Sequence, residues 1–267
     1  MQSSSGRIVL TNTISLILML FANFIGGTGL FINKTVGEVS NKYDTLFTPA
    51  GYAFIIWSFI FLLSIGSCIY QWSLLKNGDR KNYISRTGYW LAISNVANVL
   101  WLFCWLNEWL GLSVIVILLL LISLCILTVR LRLELDDEPV QTILFVWWPI
   151  TFYLGWIVVA TIADVAAWLV STDYKGGVIG EEVWTIVMII IAVCLFLLLL
   201  KTRNLREASL VGIWSFIAIG IKQWQLHQNI SAAALIASFV LLTAITSHGY
   251  KNRESNVLAK IRRGEWK

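Results

Sequence analysis

Eight long apolar stretches constrain this chain more than anything else in it: residues 8–32, 51–75, 88–106, 112–131, 142–170, 183–200, 207–223 and 231–248. Bilayer hydrocarbon is about 30 Å thick, and a helix rising about 1.5 Å per residue needs roughly 20 apolar residues to cross it. The stretch at 207–223 is the shortest. None alternates with the period of two that a barrel strand requires, so the spans are read as helices. A soluble domain could not hide this surface, because 58% of residues are apolar, 13% are charged and the mean hydropathy is +0.76. The sequence therefore predicts an all-α fold, a polytopic helical membrane protein with about eight transmembrane helices. The first stretch follows Arg7 as a signal peptide would. It runs on through Gly26, Gly27 and Gly29 without a convincing small-residue cleavage site, and is read as a helix.

Lysine and arginine set the orientation, since cytoplasmic loops are enriched in both. Eight spans place sixteen of them on one side: Arg7, Lys76, Arg80, Lys81, Arg86, Arg130, Arg132, Lys201, Arg203, Arg206 and the six from Lys251 to Lys267. The other side holds four, Lys34, Lys42, Lys175 and Lys222. Both termini are accordingly expected in the cytoplasm. The net charge of +5 follows from this asymmetry and from anionic lipid, and calls for no nucleic-acid partner. Cys68, Cys104, Cys125 and Cys194 fall inside different spans without metal-ligand spacing, which predicts buried thiols and no disulfide.

No Walker-type loop, GxGxxG, serine-nucleophile motif or HExxH occurs, and nothing supplies an ordinary enzyme with its acid, base and nucleophile. Asp136, Asp137 and Glu138 are adjacent before Pro139. No histidine or second carboxylate pair is placed to complete a metal shell, so a solvated helix end is expected there. His227 and His248 are expected at the interface without partners. The segment STDYKGGVIGEEVW, with Gly176, Gly177 and Gly180, divides five spans from three.

Fourteen tryptophans are the unusual feature. Trp72, Trp90, Trp109, Trp168, Trp184 and Trp224 sit near span ends, as an interfacial belt does. Others sit deeper and share helical faces. These are Asn95, Asn98, Trp101 and Trp105 in the third span, Tyr153, Trp156, Ala160 and Ala163 beside Asp164 in the fifth, and Phe54, Trp57 and Phe61 in the second. Such stripes serve either helix packing, with asparagines bonding across helices, or the wall of a cavity for a large flat apolar ligand. The second span also has a kinked, aromatic entrance, Phe47-Thr48-Pro49-Ala50-Gly51-Tyr52, where any polar loop would serve a plain anchor.

Three segments, in register on different spans, carry a resemblance. TPAGYAFIIW at 48–57, ANVLWLFCW at 97–105 and YLGWIVVATIADVAAW at 153–168 resemble the first-loop, third-helix and fifth-helix motifs of the translocator protein (TspO/MBR) family, the tryptophan-rich sensory proteins. Here Pro49-Ala50 stands for a Pro-Pro pair, Tyr52 for a tryptophan and Asp164 for an asparagine, and the fifth-helix proline is displaced to Pro149. The resemblance covers about residues 8–170. It implies a five-helix bundle with a pocket for porphyrins, sterols and related apolar ligands beneath the first loop. That loop becomes a lid over the outer mouth, in which Pro49 fixes the turn, Gly51 allows close backbone approach, and Phe47 and Tyr52 cover the ligand. Phe54, Trp57, Phe61, Asn98, Trp101, Trp105, Tyr153 and Trp156 are the expected ligand-binding residues of the pocket. No cofactor is implied beyond a bound porphyrin or heme-like ligand. The implied partners are the lipid bilayer, that small apolar ligand and a second copy in a homodimer.

The expected organisation is a five-helix ligand-binding core at 1–171, a three-helix membrane extension at 172–250 and a basic cytoplasmic tail at 251–267, in a bacterial cell (inner) membrane. The expected function is binding of porphyrin-, tetrapyrrole- or sterol-like molecules for sensing or transport. Two alternatives stand beside it: a photo-oxidative, porphyrin-modifying enzyme using Trp57 and Trp156, and a proton-coupled secondary transporter using Asp164, for which no inverted repeat is visible. Asp164 is the one acidic residue well inside a span, and Lys222 is the basic residue near an outer helix end. Two readings stand: Asp164 reaches interfacial water unaided, or it pairs with Lys222 and ties the extension to the core.

Overall fold

A computed structural model of the chain describes residues 2–30, 32–79, 82–174, 177–251 and 257–266. Arg80, Lys81, Lys175, Arg253 and Lys267 of the charge tally, and Gly176 of the boundary segment, lie outside the described residues. All regular structure among the described residues is helical. The first half comprises α1 (Gln2–Thr28), a short α2 (Val36–Lys42), a 3-10 turn (Gly51–Ile55) running into α3 (Ile56–Asn77), a short α4 (Tyr83–Thr87), α5 (Trp90–Leu106) and α6 (Leu110–Arg130). Next, α7 (Val140–Thr142) continues through a π turn (Ile143–Trp147) into α8 (Trp148–Ser171). The last elements are α9 (Gly180–Arg203), α10 (Arg206–Gln223), α11 (Gln228–Lys251) and α12 (Val257–Arg262).

Each apolar stretch of the sequence contains a helix, but the helices differ in reach. Six are long and apolar enough to cross a membrane: Ser4–Thr28, Gly51–Asn77, Leu110–Arg130, Val140–Ser171, Gly180–Arg203 and Gln228–Lys251. α5 has 17 residues and α10 has 18. At 1.5 Å per residue they reach about 26 and 27 Å, a little under the hydrocarbon thickness. Large apolar side chains turned outward, such as Phe21, Phe24, Leu62, Ile69, Ile115, Leu198 and Phe239, give the bundle a lipid-facing perimeter. All four cysteines are free, and Cys125 and Cys194 face this perimeter rather than the interior.

Local chemistry sets the boundaries. Thr35 opens α2 with a capping box: its hydroxyl accepts from Glu38 N at 3.2 Å while Glu38 Oε2 accepts from Thr35 N at 2.7 Å. Pro149 has no N–H and its ring crowds the carbonyl one turn earlier; the π turn just before it absorbs that mismatch. The apolar helix therefore continues for 32 residues without a break. Asn204, at φ 55°, reverses the chain between α9 and α10 in a single tight turn.

α5 and α6 form one helical hairpin and α10 and α11 another, while α1 lies against α5 and α3. α8 sits in the middle, touching α3, α6, α9 and α10. Its membrane window is 72% buried, more than that of any other candidate span, and it is apolar or small on nearly every face. Gly155 brings α10 unusually close: a Cβ there would stand 2.8 Å from the Ala208 carbonyl oxygen and 2.9 Å from Ala208 Cα. One apolar core runs from Leu16 in α1 to Leu241 in α11.

Charges collect at the two ends of the bundle. At one end, Glu108 bridges Lys34 and Lys42 and accepts from Tyr43 Oη at 2.7 Å. His227 does have a partner, contrary to expectation, because the α10–α11 turn carries its Nδ1 to 2.8 Å from Glu182 Oε1 in the first turn of α9. Nor is His248 free. At the opposite end, Arg86 Nε and Arg130 Nε donate to each other's backbone carbonyls at 2.9 and 2.8 Å. There Asp136 pairs with Arg132, and Asp137 with Lys260 of α12.

Candidate functional site

The entrance to α3 turns sharply before Pro49. Thr48 N donates to Thr45 O at 3.0 Å, Thr45 N donates to Thr48 Oγ1 at 3.1 Å, and the two hydroxyls meet at 2.9 Å. The chain then leaves the proline extended at Ala50 and closes a 3-10 turn through Ala53 N to Ala50 O at 2.9 Å. α10 grips this threshold from outside. Ala50 N donates to Ala218 O at 3.2 Å, Trp214 Nε1 to Ala53 O at 3.1 Å, and Gln223 Nε2 to Leu46 O at 3.2 Å.

Beneath the threshold lies a cavity with two adjoining lobes. The narrow lobe, about 40 Å³, is walled by Tyr43, Phe54, Trp57, Trp101, Trp105, Trp156 and Asp164, among others. The wide lobe, about 300 Å³, reaches Asn23, Thr35, Asn41, Gly51 and Phe61. Val36, Ser40, Pro49, Phe54, Trp57 and Trp101 border both. The wide lobe falls at the lower end of the roughly 300–1,000 Å³ typical of ligand pockets.

Flat aromatic faces make most of the wall, and they brace one another. Trp57 stacks on Phe61 with centroids 5.4 Å apart and meets Trp156 edge-on at 6.3 Å. Phe54 also meets Trp156 edge-on, at 5.7 Å. Trp101 stacks on Trp105 at 5.9 Å, and Trp105 Nε1 donates to Val36 O at 3.2 Å, which pins α2 over the mouth. Such offset and edge-to-face pairs are the favoured aromatic geometries. Outside the bilayer region, hydrogen bonds from Lys34, Lys42 and Tyr43 hold the Glu108 carboxyl down at about 2, so the rim beside Tyr43 carries a fixed carboxylate.

Of the residues singled out in the sequence, Pro49, Gly51, Phe54, Trp57, Phe61, Trp101, Trp105 and Trp156 border the cavity. Four do not. Phe47 is wholly buried in the core, and Tyr52 turns away to meet Trp214 of α10 edge-on at 5.4 Å. These two therefore do not cover the mouth: Phe47 is taken up by the core and Trp214 of α10 holds Tyr52 aside. Asn98 is fully buried, its Oδ1 accepting from Asn23 Nδ2 at 2.7 Å. Tyr153 touches Trp57 edge-on at 5.7 Å but borders a separate small cavity with Asn12, Ser67, Gln71 and Asn95. Gly51 admits no close backbone neighbour either; a Cβ there would meet nothing within 4 Å.

Asp164 does not pair with Lys222. Its Oδ2 accepts from Trp101 Nε1 at 3.0 Å and its Oδ1 from Ser113 Oγ at 2.7 Å, while Lys222 Nζ turns to Asp44 Oδ1 at 2.5 Å. Helical rotation explains the correction. Asp164 follows Gly155 by nine residues, about 900° at 100° each, so it points half a turn away from the face that α10 occupies. Reading the sequence also missed Val36, Ser40 and Tyr43, which α2 and its end bring to the wall. The Thr35-to-Glu38 capping pattern was the signal that a helix stood in that loop.

No curated protein and no solved structure gives a significant match to the chain. A family model, TSPO-like protein, matches residues 8–247, and so continues through α9, α10 and α11 beyond the region where the motifs were found. Matched over most of its length, this helical integral membrane protein belongs to the TSPO-like protein family.

Proposed function

We propose that the chain binds a flat, largely apolar ligand in the cavity beneath the threshold, for sensing or transport in the membrane. Porphyrin- and sterol-like molecules are the class that the family resemblance suggests. The observation that carries this reading is Trp156: it is 2% exposed, borders the cavity, and its indole N–H has no acceptor among the described residues. An unmet buried donor costs about 1–3 kcal/mol. Folded proteins keep few of them, and a ligand acceptor in the cavity answers this one. Trp57, Phe54, Phe61 and Trp101 add the stacking surface that a planar body needs. The basic asymmetry of the loops supports an orientation with the threshold outside and both termini in the cytoplasm.

Porphyrin titration followed by tryptophan quenching tests the reading. Trp57→Ala and Trp156→Ala should each weaken binding by about 1 kcal/mol or more, as loss of aromatic contacts does. Trp184→Ala, whose ring meets Tyr174 instead of the cavity, should leave it unchanged. Equal losses in all three variants would assign these tryptophans to packing alone.

A further inference from the structure

We infer that the ligand of this cavity is a cation, a protonated amine carried on a flat apolar body, whose ammonium sits against Asp164. The inference rests on the cavity reading above and adds the charge of the ligand to it.

Asp164 is 2% exposed and is the acidic side chain in the wall of the narrow lobe. The protein gives each of its oxygens a single donor, Trp101 Nε1 to Oδ2 and Ser113 Oγ to Oδ1. Two carboxylate oxygens together offer about four acceptor sites, so capacity for a ligand's N–H groups remains. What the described residues do not offer Asp164 is a counter-charge. Three lysines are described at this end of the bundle, and each is held by another carboxylate: Lys34 and Lys42 by Glu108, Lys222 by Asp44. None of these lysines reaches Asp164, and Asp164 is the carboxylate that borders the cavity.

The surroundings suit the same occupant. Trp57, Trp101, Trp105, Trp156 and Phe54 border the lobe that Asp164 borders. Aromatic faces attract organic cations through the ring quadrupole, and a ring of them around a carboxylate is a design for ammonium heads. The dimensions agree as well. The narrow lobe, about 40 Å³, admits a head of very few atoms, and the wide lobe, about 300 Å³, takes an apolar ring system. A protonated amine on the flat apolar body supplies the counter-charge that this carboxylate lacks in a largely apolar site.

The test uses the full chain in nanodiscs of zwitterionic lipid and two matched probes, 1-pyrenemethylamine and 1-pyrenemethanol, read by energy transfer from tryptophan. Expected is at least tenfold tighter binding of the amine, with Asp164→Asn removing that preference. Glu108→Gln and Asp44→Asn, at the rim, should retain the preference. Should Asp164→Asn fail to fold, Ser113→Ala takes its place; it keeps the carboxylate, removes one protein donor, and should keep or raise the amine preference. Equal affinity for the two probes in the unaltered protein overturns the cation inference and leaves the cavity reading standing. A preference that survives Asp164→Asn, or that vanishes in the rim variants, overturns it too. Binding of neither probe removes the cavity reading and the inference together.

Discussion

Gly155→Ala is the most informative single change outside the cavity. The added methyl would lie 2.8 Å from the Ala208 carbonyl oxygen, 2.9 Å from Ala208 Cα and 3.1 Å from Val211 Cβ. Two of these neighbours are backbone atoms, so no rotamer change relieves them; α8 and α10 must separate by about half an ångström or more to restore ordinary contact. A gap of that size forfeits roughly a quarter to a half of each contact's attraction along the seam. Overpacking of this kind costs about 1–3 kcal/mol, offset by up to about 1 kcal/mol because alanine favours helix over glycine. A net loss of about 1–2 kcal/mol is expected in reversible unfolding by SDS in mixed micelles. Gly6→Ala in α1, where a Cβ would meet nothing within 4 Å, supplies the control and should be neutral or slightly stabilising. The variant should also weaken the hold of Trp214 on the Ala53 carbonyl, visible as a change in tryptophan emission. If Gly155→Ala proved as stable as the unaltered protein, the close approach of α8 and α10 would be wrong.

Stability should depend on pH through Glu134, in the loop after α6. Its carboxyl is pushed up from 4.5 to about 8, first by burial and then by Glu207, against the pull of Arg206, a hydrogen bond from Asn204 at 3.0 Å, and Lys260. A carboxyl whose folded value is raised keeps its full contribution below the unfolded value and loses it as pH rises through the folded one, so unfolding should become easier as pH rises from about 4.5 to about 8 and level off above that. Glu134→Gln should flatten that dependence, and an unchanged slope would exclude Glu134 as its source. In a thermal double-mutant cycle, Lys222→Ala should couple with Asp44→Asn by about 0.2–1 kcal/mol, as half-exposed pairs do, and should be additive with Asp164→Asn; coupling to Asp164 instead would restore the pairing that the sequence suggested. Reporter fusions at Gly78 and beyond Lys251 should read cytoplasmic, while fusions at Lys42 and His227 should read external. A cytoplasmic signal at Lys42 would reverse the threshold.

Much of the cavity was legible because its signals are local. Trp57 and Phe61, Trp101 and Trp105, and Trp156 repeat on single helical faces, and the apolar runs that carry them are unmistakable. What escaped is what depends on the approach of distant segments. Nothing about Trp214 or Gln223 in the sequence says that they bond Ala53 and Leu46, more than 160 residues earlier. Gly155 looks like any glycine in an apolar run until α10 is placed against it. Asp164 was marked in the sequence as a candidate for a partner, but the choice between Lys222 and the pair Trp101 and Ser113 turns on the rotation of α8, which composition does not encode. Tyr52 was misplaced for the same reason: its partner, Trp214, belongs to a helix whose position no motif announces.

The grip of α10 on the threshold also sets an order of manufacture. The residues that frame the mouth at Asp44, Leu46 and Ala53 are Lys222, Gln223 and Trp214, which leave the ribosome 161 to 178 residues later. The aromatic wall contributed by α3, α5 and α8 can assemble while translation is still under way, since domains and helical units form as the chain emerges. The entrance cannot: its backbone groups wait for α10. In each copy of the protein, the doorway is hung only after α10 has been made, when the room behind it can already stand.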